Sequence, residues 1–543
     1  MITAQTKNRR TALFVFLILA IIATLSDPSC GSEENTTVNK SITGPYEPNW
    51  ASLGNHRAAP DWLRDAKFGI YFHWGVYSVP AFYNEWYPRF MHFSLPDHDP
   101  PLEHPVAKHH INTYGHPAEF GYHDFVPMFT GERFDPEEWA DLFQAAGARF
   151  AGPVAVHHDG FAMWDSDVTP WNADDMGPRR DILGDLFQSL EKRGMKTIAT
   201  FHHSKNLQRY TTDAEIREQL AKVAPWMAGK STGWPYGSTH YPKLNPTFPP
   251  SIVEDEKLNY LYGNIPEDQW LEEVWLGKLV EVIDLYQPDI IWFDSWLDNI
   301  PEEYLQRFSV YYLNAADRWD KDVAIIRKQN DLPLDFSIHD HEKSREPKAL
   351  HHLWMTDDTL STDSWSYTKG LKIKSLDQVL HALIDTVSKN GVMLLNISPM
   401  ADGTIPEDQR SVLYGLGDWL EEHGEAIYDT RPWVVAAEGP TSEPEGGFSD
   451  RAKFLVLEYS AADVRYTASK DGRTVYATLL GSPAPGATFT LTAFADRADQ
   501  ITRVELLSGD QVNWAAGPGG LEIIHSADVV SEEPAVVYEI TLD

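Results

Sequence analysis

The strongest constraint on the fold is a unit that recurs along the middle of the chain. A stretch of helical periodicity leads into a short apolar strand, and polar groups follow where the strand ends. Asp135-Pro136 opens one such helix, with Asp suited to capping and Pro to the first helical position. Trp139, Leu142, Phe143 and Ala146 follow at helical spacing before Gly147, and the strand Phe150 to Val156 delivers His157-His158-Asp159. A second helix, about Ile182 to Lys192, stops at Gly194, and the strand Lys196 to Phe201 delivers His202-His203. A third carries Leu271, Val274, Trp275, Leu279, Val282 and Ile283, and the strand Ile290 to Phe293 delivers Asp294. Val323 to Ile326 is a further strand, and a helix marked by Leu376, Val379, Leu380, Leu383 and Val387 precedes the strand Val392 to Asn396. At least five such units in series predict an α/β fold, a parallel barrel that would gather the strand ends on one face. A doubly wound open sheet is the alternative, because periodicity does not show closure.

After about Trp433 the texture changes. Phe454-Leu-Val-Leu-Glu-Tyr, Thr474-Val-Tyr-Ala-Thr-Leu, Thr488-Phe-Thr-Leu-Thr, Val504-Glu-Leu-Leu and Val536-Val-Tyr-Glu-Ile-Thr are short β-rich runs separated by Gly, Pro and Asp. They predict a C-terminal β-sandwich over residues 435–543, expected to pack against the barrel. At the other end, Arg9-Arg10 precede an apolar run from Ala12 to Ala23, short for a spanning helix and suited to a secretory leader. Residues 1–30 are therefore expected to be a signal peptide or N-terminal anchor, and 31–47 a flexible linker. The protein is expected to be exported, periplasmic or extracellular, with membrane anchorage as the alternative. Cys30 is the only cysteine, so no intrachain disulfide can form. A formal net charge of −35 repels phosphate backbones and argues against nucleic acid as a partner.

The polar residues at the strand ends carry the chemistry. His73 and Trp74 end a strand starting near Lys67, and Glu85-Trp86-Tyr87 follows in the loop. In a barrel, His73, His157, His158 and His202 would converge with Asp294. Two mechanisms fit that set. Several His plus an Asp could ligate a divalent metal, although the His-x-His of this chain, His339-Asp340-His341, falls late rather than on the first strand. Glycoside hydrolysis by two carboxylates is the other, with His holding hydroxyls and Trp74, Trp86, Trp164 or Trp292 holding the apolar face of a sugar. Asp294 would be one carboxylate, and its partner would come from Asp340, Glu342, Glu346, Asp357, Asp358 or Asp363. The residue types alone do not choose among these.

Longer segments narrow the choice. Ala66-Lys-Phe-Gly-Ile-Tyr-Phe-His-Trp-Gly-Val-Tyr-Ser-Val-Pro-Ala81, Glu85-Trp-Tyr, His157-His-Asp-Gly-Phe161, Gly177-Pro-Arg-Arg-Asp181 and Ser388-Lys-Asn-Gly-Val-Met-Leu-Leu-Asn-Ile-Ser-Pro-Met-Ala-Asp-Gly-Thr-Ile-Pro406 resemble the retaining α-L-fucosidases, in consistent order over about residues 48 to 434. The resemblance implies a (β/α)8-like (TIM-type) barrel over residues 48–434 followed by a β-sandwich, no metal or other cofactor, and an exo-acting enzyme that releases terminal fucose from fucosylated oligosaccharides or polysaccharides. It implies Asp294 as nucleophile, His73, Glu85, Trp86, His157 and His158 as residues that hold the fucose, and Trp292 as a wall of the site; Trp74 and His202, from their places at strand ends, are expected to join the substrate-binding set. Some members carry Asp-x-Glu twelve residues before the Trp of a Trp-x-Thr-Asp segment. Asp340-His-Glu342 stands in that relation to Trp354-Met-Thr-Asp357, which makes Glu342 the acid/base, with Glu346 in reserve. His202 stands where many members have Tyr, Val156 where Lys is usual, and Ser295 where Gly is frequent, so substrate preference is expected to differ. A metal-dependent hydrolase and a catalytically silent fucose-binding protein are the rival readings.

Overall fold

Each helix–strand unit hides one face of its helix against the strands it joins, and eight such strands use up their free edges by closing on one another. The computed structural model describes residues 42–543 except 93, 96–101, 118, 208–255, 296 and 526–532. The expected leader 1–30 and most of the linker therefore lie outside the described residues. The barrel strands are β1 (Phe68–Phe72), β2 (Phe150–Val156), β3 (Lys196–Phe201), β4 (Ile290–Phe293), β5 (Ala324–Arg327), β6 (Ile338–Asp340), β7 (Trp354–Thr359) and β8 (Gly391–Ile397). They form a closed barrel in sequential order, every pairing is parallel, and β1 pairs with both β2 and β8. The open-sheet alternative is thereby excluded.

Helices α1 (Pro136–Ala145), α2 (Ile182–Glu191), α3 (Gly277–Tyr286), α4 (Glu302–Trp319), α5 (Leu376–Ser388) and α6 (Glu407–His423) belong to the outer layer. Asp135 caps α1 by accepting from the backbone N–H of Glu137 and Glu138, and Ser375 and Gln378 cap α5 reciprocally. The stretch before α3, Trp270–Leu276, winds as a π-helix rather than an α-helix. The barrel interior is filled by Tyr71, Phe150, Ile198, Ile290, Trp292, Met355 and Leu394 among others, while a second core packs the helices onto the barrel's outside. Gly152 sits where the strands approach most closely: a Cβ there would lie 1.7 Å from the Ile198 carbonyl oxygen.

The C-terminal part holds a five-stranded and a three-stranded antiparallel sheet around their own core. In chain order the strands are β9 (Arg431–Glu438), β10 (Val464–Ala468), β11 (Thr474–Leu479), β12 (Thr488–Leu491), β13 (Ile501–Leu506), β14 (Asn513–Gly517), β15 (Gly520–Ile524) and β16 (Val536–Leu542). One expected strand is not formed. Phe454 to Tyr459 begins in a short helix, Arg451–Leu455, and continues without regular pairing. A strand would have put Phe454 and Val456 on one face, but only Phe454 is buried, under the Arg345 guanidinium, and Val456 is 74% exposed. A buried ionic knot ties the two parts together: Asp385 on α5 accepts from Arg345 at 2.9 Å and Lys389 at 2.8 Å, and also pairs with Arg465 on β10. Among the described residues no helix is long and apolar enough to cross a membrane.

Candidate active site

The C-terminal ends of the parallel strands surround a cavity of about 650 Å³, which is where a barrel of this kind places its chemistry. β1 contributes His73, β2 His157 and His158, β3 His202, β4 Asp294, β5 Lys328, and the segment after β6 Glu342 and Glu346. Glu85 and Trp86 enter from the loop after β1. The sequence-selected residues His73, Glu85, Trp86, His157, His158, His202, Asp294 and Glu342 are therefore brought to one site. Trp292 lies beneath it, fully buried in the barrel, with its indole N–H donating to Asp340 at 3.1 Å. Trp74 is not part of the site. It follows His73 along an extended segment, so the two side chains point to opposite faces. His73 turns inward, and Trp74 packs outside the barrel against Trp139 and donates to the Met400 carbonyl at 2.7 Å.

Electrostatics centre on Lys328, which the sequence reading passed over. Its ammonium lies 3.1 Å from Asp294, 2.9 Å from Glu342 and 3.0 Å from Asp357. Burial pushes the Asp294 carboxyl up, but the Lys328 ammonium and a contact from His158 Nε2 at 3.2 Å outweigh it and hold Asp294 well below the usual carboxylate range. Burial alone would lower the Lys328 ammonium, yet its three carboxylates raise it well above its ordinary range. Asp357 is pushed up by burial and by neighbouring Asp340, and accepts from the Tyr71 hydroxyl at 2.9 Å. Glu342 has a second cation, Arg451 of the C-terminal domain, at 3.2 Å. Glu346 lines the same cavity but pairs with His341.

The imidazoles are held as neutral, oriented hydrogen-bonding groups. Burial drives His73 down to about 3 and lowers His158 and His202 as well. Asn396 on β8 fixes the first: its Oδ1 accepts from the His73 backbone N–H and faces ring Nδ1 at 2.8 Å, which leaves Nε2 for the cavity. The Asn396 amide in turn donates to the Trp365 carbonyl at 2.8 Å, and Trp365 walls the cavity 5.4 Å from His73. Trp86 stands against His158 at 4.7 Å, with the Lys205 ammonium over its ring. Glu85, raised by burial, accepts from the Trp365 backbone N–H. His73, His157 and His202 each offer a ring nitrogen within 4.8 Å of the others, so in this cavity the trio could hold a divalent ion; it equally suits a row of sugar hydroxyls. The whole arrangement has two acids flanking one space, donors on one wall and indoles on another, which is the apparatus for cleaving a glycosidic bond.

Comparison with known proteins agrees with that geometry. A family model described as alpha-L-fucosidase matches residues 34–425. The tissue alpha-L-fucosidase of Rattus norvegicus is 30% identical over 483 residues, covering 87% of each chain. The plasma alpha-L-fucosidase of Homo sapiens is 28% identical, with 86% of each chain covered. Among solved structures, the Thermotoga maritima alpha-fucosidase in complex with fucose superposes with a TM-score of 0.64 at 26% identity, covering 91% of this chain and 100% of that one.

Proposed function

The chain belongs to the α-L-fucosidase family of glycoside hydrolases, and from that membership we propose that it removes terminal α-L-fucosyl residues by double displacement, with Asp294 as nucleophile and Glu342 as acid/base. Membership decides for α-L-fucosidase activity over the metallohydrolase and the silent binding protein. The observation that carries the mechanism is the shared ammonium. Asp294 Oδ1 and Glu342 Oε2 both lie within 3.1 Å of Lys328 Nζ, so these two oxygens are at most about 6 Å apart, in keeping with the ~5–5.5 Å of retaining enzymes.

In the first step Asp294, kept ionised by Lys328 and His158, attacks the anomeric carbon while Glu342 protonates the departing oxygen. The ion pairs of Glu342 belong to its carboxylate form, which serves the second step by drawing a proton from water as the fucosyl–Asp294 ester is hydrolysed. The imidazoles of His73, His157, His158 and His202 and the buried Glu85 hold hydroxyls, and Trp86 and Trp365 face the ring and its methyl group. Trp292 and Tyr71 close the floor beneath Asp294, in keeping with exo action on a fucosylated glycan. The Arg9-Arg10 leader supports export, which N-terminal sequencing of the cell-free protein would test.

Azide distinguishes the two roles. Glu342→Ala should lose about 10²–10⁴-fold on natural linkages and, with azide, yield fucosyl azide of retained configuration, whereas Asp294→Gly should yield the inverted azide. Wild-type rates for Glu342→Ala on natural linkages would remove it from the mechanism.

A further inference from the structure

Beside the fucose pocket lies a second cavity, of about 460 Å³, between the barrel and the C-terminal domain. That is within the ~300–1,000 Å³ of small-molecule sites. Its walls come from the segment after β6, from the end of β7, from the start of α5 and from the short helix Arg451–Leu455. Arg451 borders both cavities. Glu342 and Lys343 are consecutive, and they divide between the two: Glu342 lines the first, Lys343 the second. A general acid touches the oxygen that leaves, so the remainder of the glycan departs past Glu342, on the side where Arg451 and Lys343 stand.

Among the described residues, the charges lining this cavity away from its rim are matched, with one exception. Arg345 is taken by Asp385, Lys374 by both oxygens of Asp358 at 2.7 Å, and Arg451 by Glu342. Asp377 and Glu458 lie exposed at the rim, where solvent and salt screen them. The Lys343 ammonium has no ion pair or hydrogen bond among the described residues. It rests 4.0 Å over the ring of Trp365, the indole that walls the fucose pocket. Burial lowers its pKa, while Glu342 and Asp358 work to keep it charged. In a chain carrying a formal net charge of −35, a partly buried cation in ion-pair contact with no carboxylate of the described residues is placed to take its counter-charge from a ligand.

We propose that this second cavity is a leaving-group subsite for an anionic saccharide, whose sulfate ester or carboxylate sits on Lys343. The proposal rests on the fucosidase mechanism above, since the position of Glu342 sets the direction in which the glycan extends. It assigns specificity to Lys343, which takes no part in the chemistry.

The test uses the full-length protein with an aryl fucoside and three fucosyl disaccharides of one linkage, whose second sugar is neutral, sulfated or a uronic acid. Wild type should show kcat/KM about tenfold higher for an anionic disaccharide than for the neutral one, the effect of one charge-assisted contact, and the advantage should shrink as salt is raised. Whichever anion gains more identifies the group recognised. Lys343→Met, which keeps the stack on Trp365, should abolish the preference and leave the aryl fucoside rate unchanged; Lys343→Arg should retain the preference. Equal rates on neutral and anionic disaccharides, or a preference that survives Lys343→Met, would overturn the subsite while leaving the fucosidase mechanism intact. A loss in Lys343→Met spread equally over all substrates would also overturn it, as a structural role. Failure of wild type to hydrolyse even the aryl fucoside would strike down both readings together.

Discussion

Replacing Lys328 by Met removes the charge on which both proposed catalytic acids, Asp294 and Glu342, converge while nearly preserving side-chain volume. The wild-type ammonium has carboxylate oxygens of Asp294, Glu342 and Asp357 at 3.1, 2.9 and 3.0 Å. At an effective dielectric of ~20, one such pair is worth ~5 kcal/mol before desolvation is counted, and measured shifts beside a single opposite charge are ~1–3 pKa units. Lys328 is what holds Asp294 down against burial, so Lys328→Met should raise the Asp294 pKa by roughly that amount. The acid limb of the kcat/KM–pH profile, which reports ionisation of the nucleophile in the free enzyme, should move up by ~1–3 pH units. At the optimum, the loss of a pre-placed charge should cost about 10²–10³ in kcat/KM. Stability follows the same sign. A depressed carboxylate contributes stability above its unfolded pKa of ~3.9 and loses it as pH falls through the folded value. The variant forfeits that contribution, leaves Glu342 with Arg451 as its remaining cation, and removes the ammonium from beside Asp294 and Asp357. A continuous aryl-fucoside assay from pH 3 to 9, with thermal melts at each pH, reads both effects. An acid limb that stays in place, with rates within threefold of wild type, would refute the argument.

Two further substitutions test the electrostatics of the scaffold. Lys67, at the entrance to β1, is fully buried, and burial lowers it from 10.5 to about 7. The folded state then binds fewer protons than the unfolded chain between those values, so stability rises with pH across that window; Lys67→Met should remove this slope and raise the melting temperature at pH 6, and a variant melting lower than wild type there would contradict it. Asp385, held ionised by Lys389, Arg465 and Arg345 against the effect of burial, joins the barrel to the C-terminal domain. Asp385→Ala should cost ~3–5 kcal/mol in chemical denaturation at pH 7, as expected when one partner of a buried ionic cluster is removed, and a loss below 1 kcal/mol would show that the knot does not join the domains.

Much of this architecture was legible because a parallel barrel writes a regular pattern. Asp294, His157 and His202 each end an apolar run, and each run is long enough to be seen. β6 has only three residues, Ile338–Asp340, too few to leave a periodic signal, so the segment bearing Glu342 was placed by resemblance alone. Lys328 follows a strand that was recognised, but a lone Lys after an apolar run looks like any solvated charge; its meaning arises only when three distant carboxylates close around it. Trp74 was misassigned because a strand end shows both faces in sequence, and alternation sends neighbours His73 and Trp74 apart. Trp365 and Asn396 acquire their roles through a carbonyl contact and a ring orientation that no local pattern encodes. Arg451 and Lys343 meet across two domains, so neither pointed to the other before folding.

Covalent capture tests the central claim most directly. A slow-turnover fluorinated fucoside with an activated leaving group should accumulate the fucosyl–enzyme intermediate. After digestion, mass spectrometry should find the fluorofucosyl adduct on Asp294, in the peptide containing Asp289 to Phe293. Hydrolysis without any adduct, or an adduct on Glu342 or another carboxylate, would contradict the account.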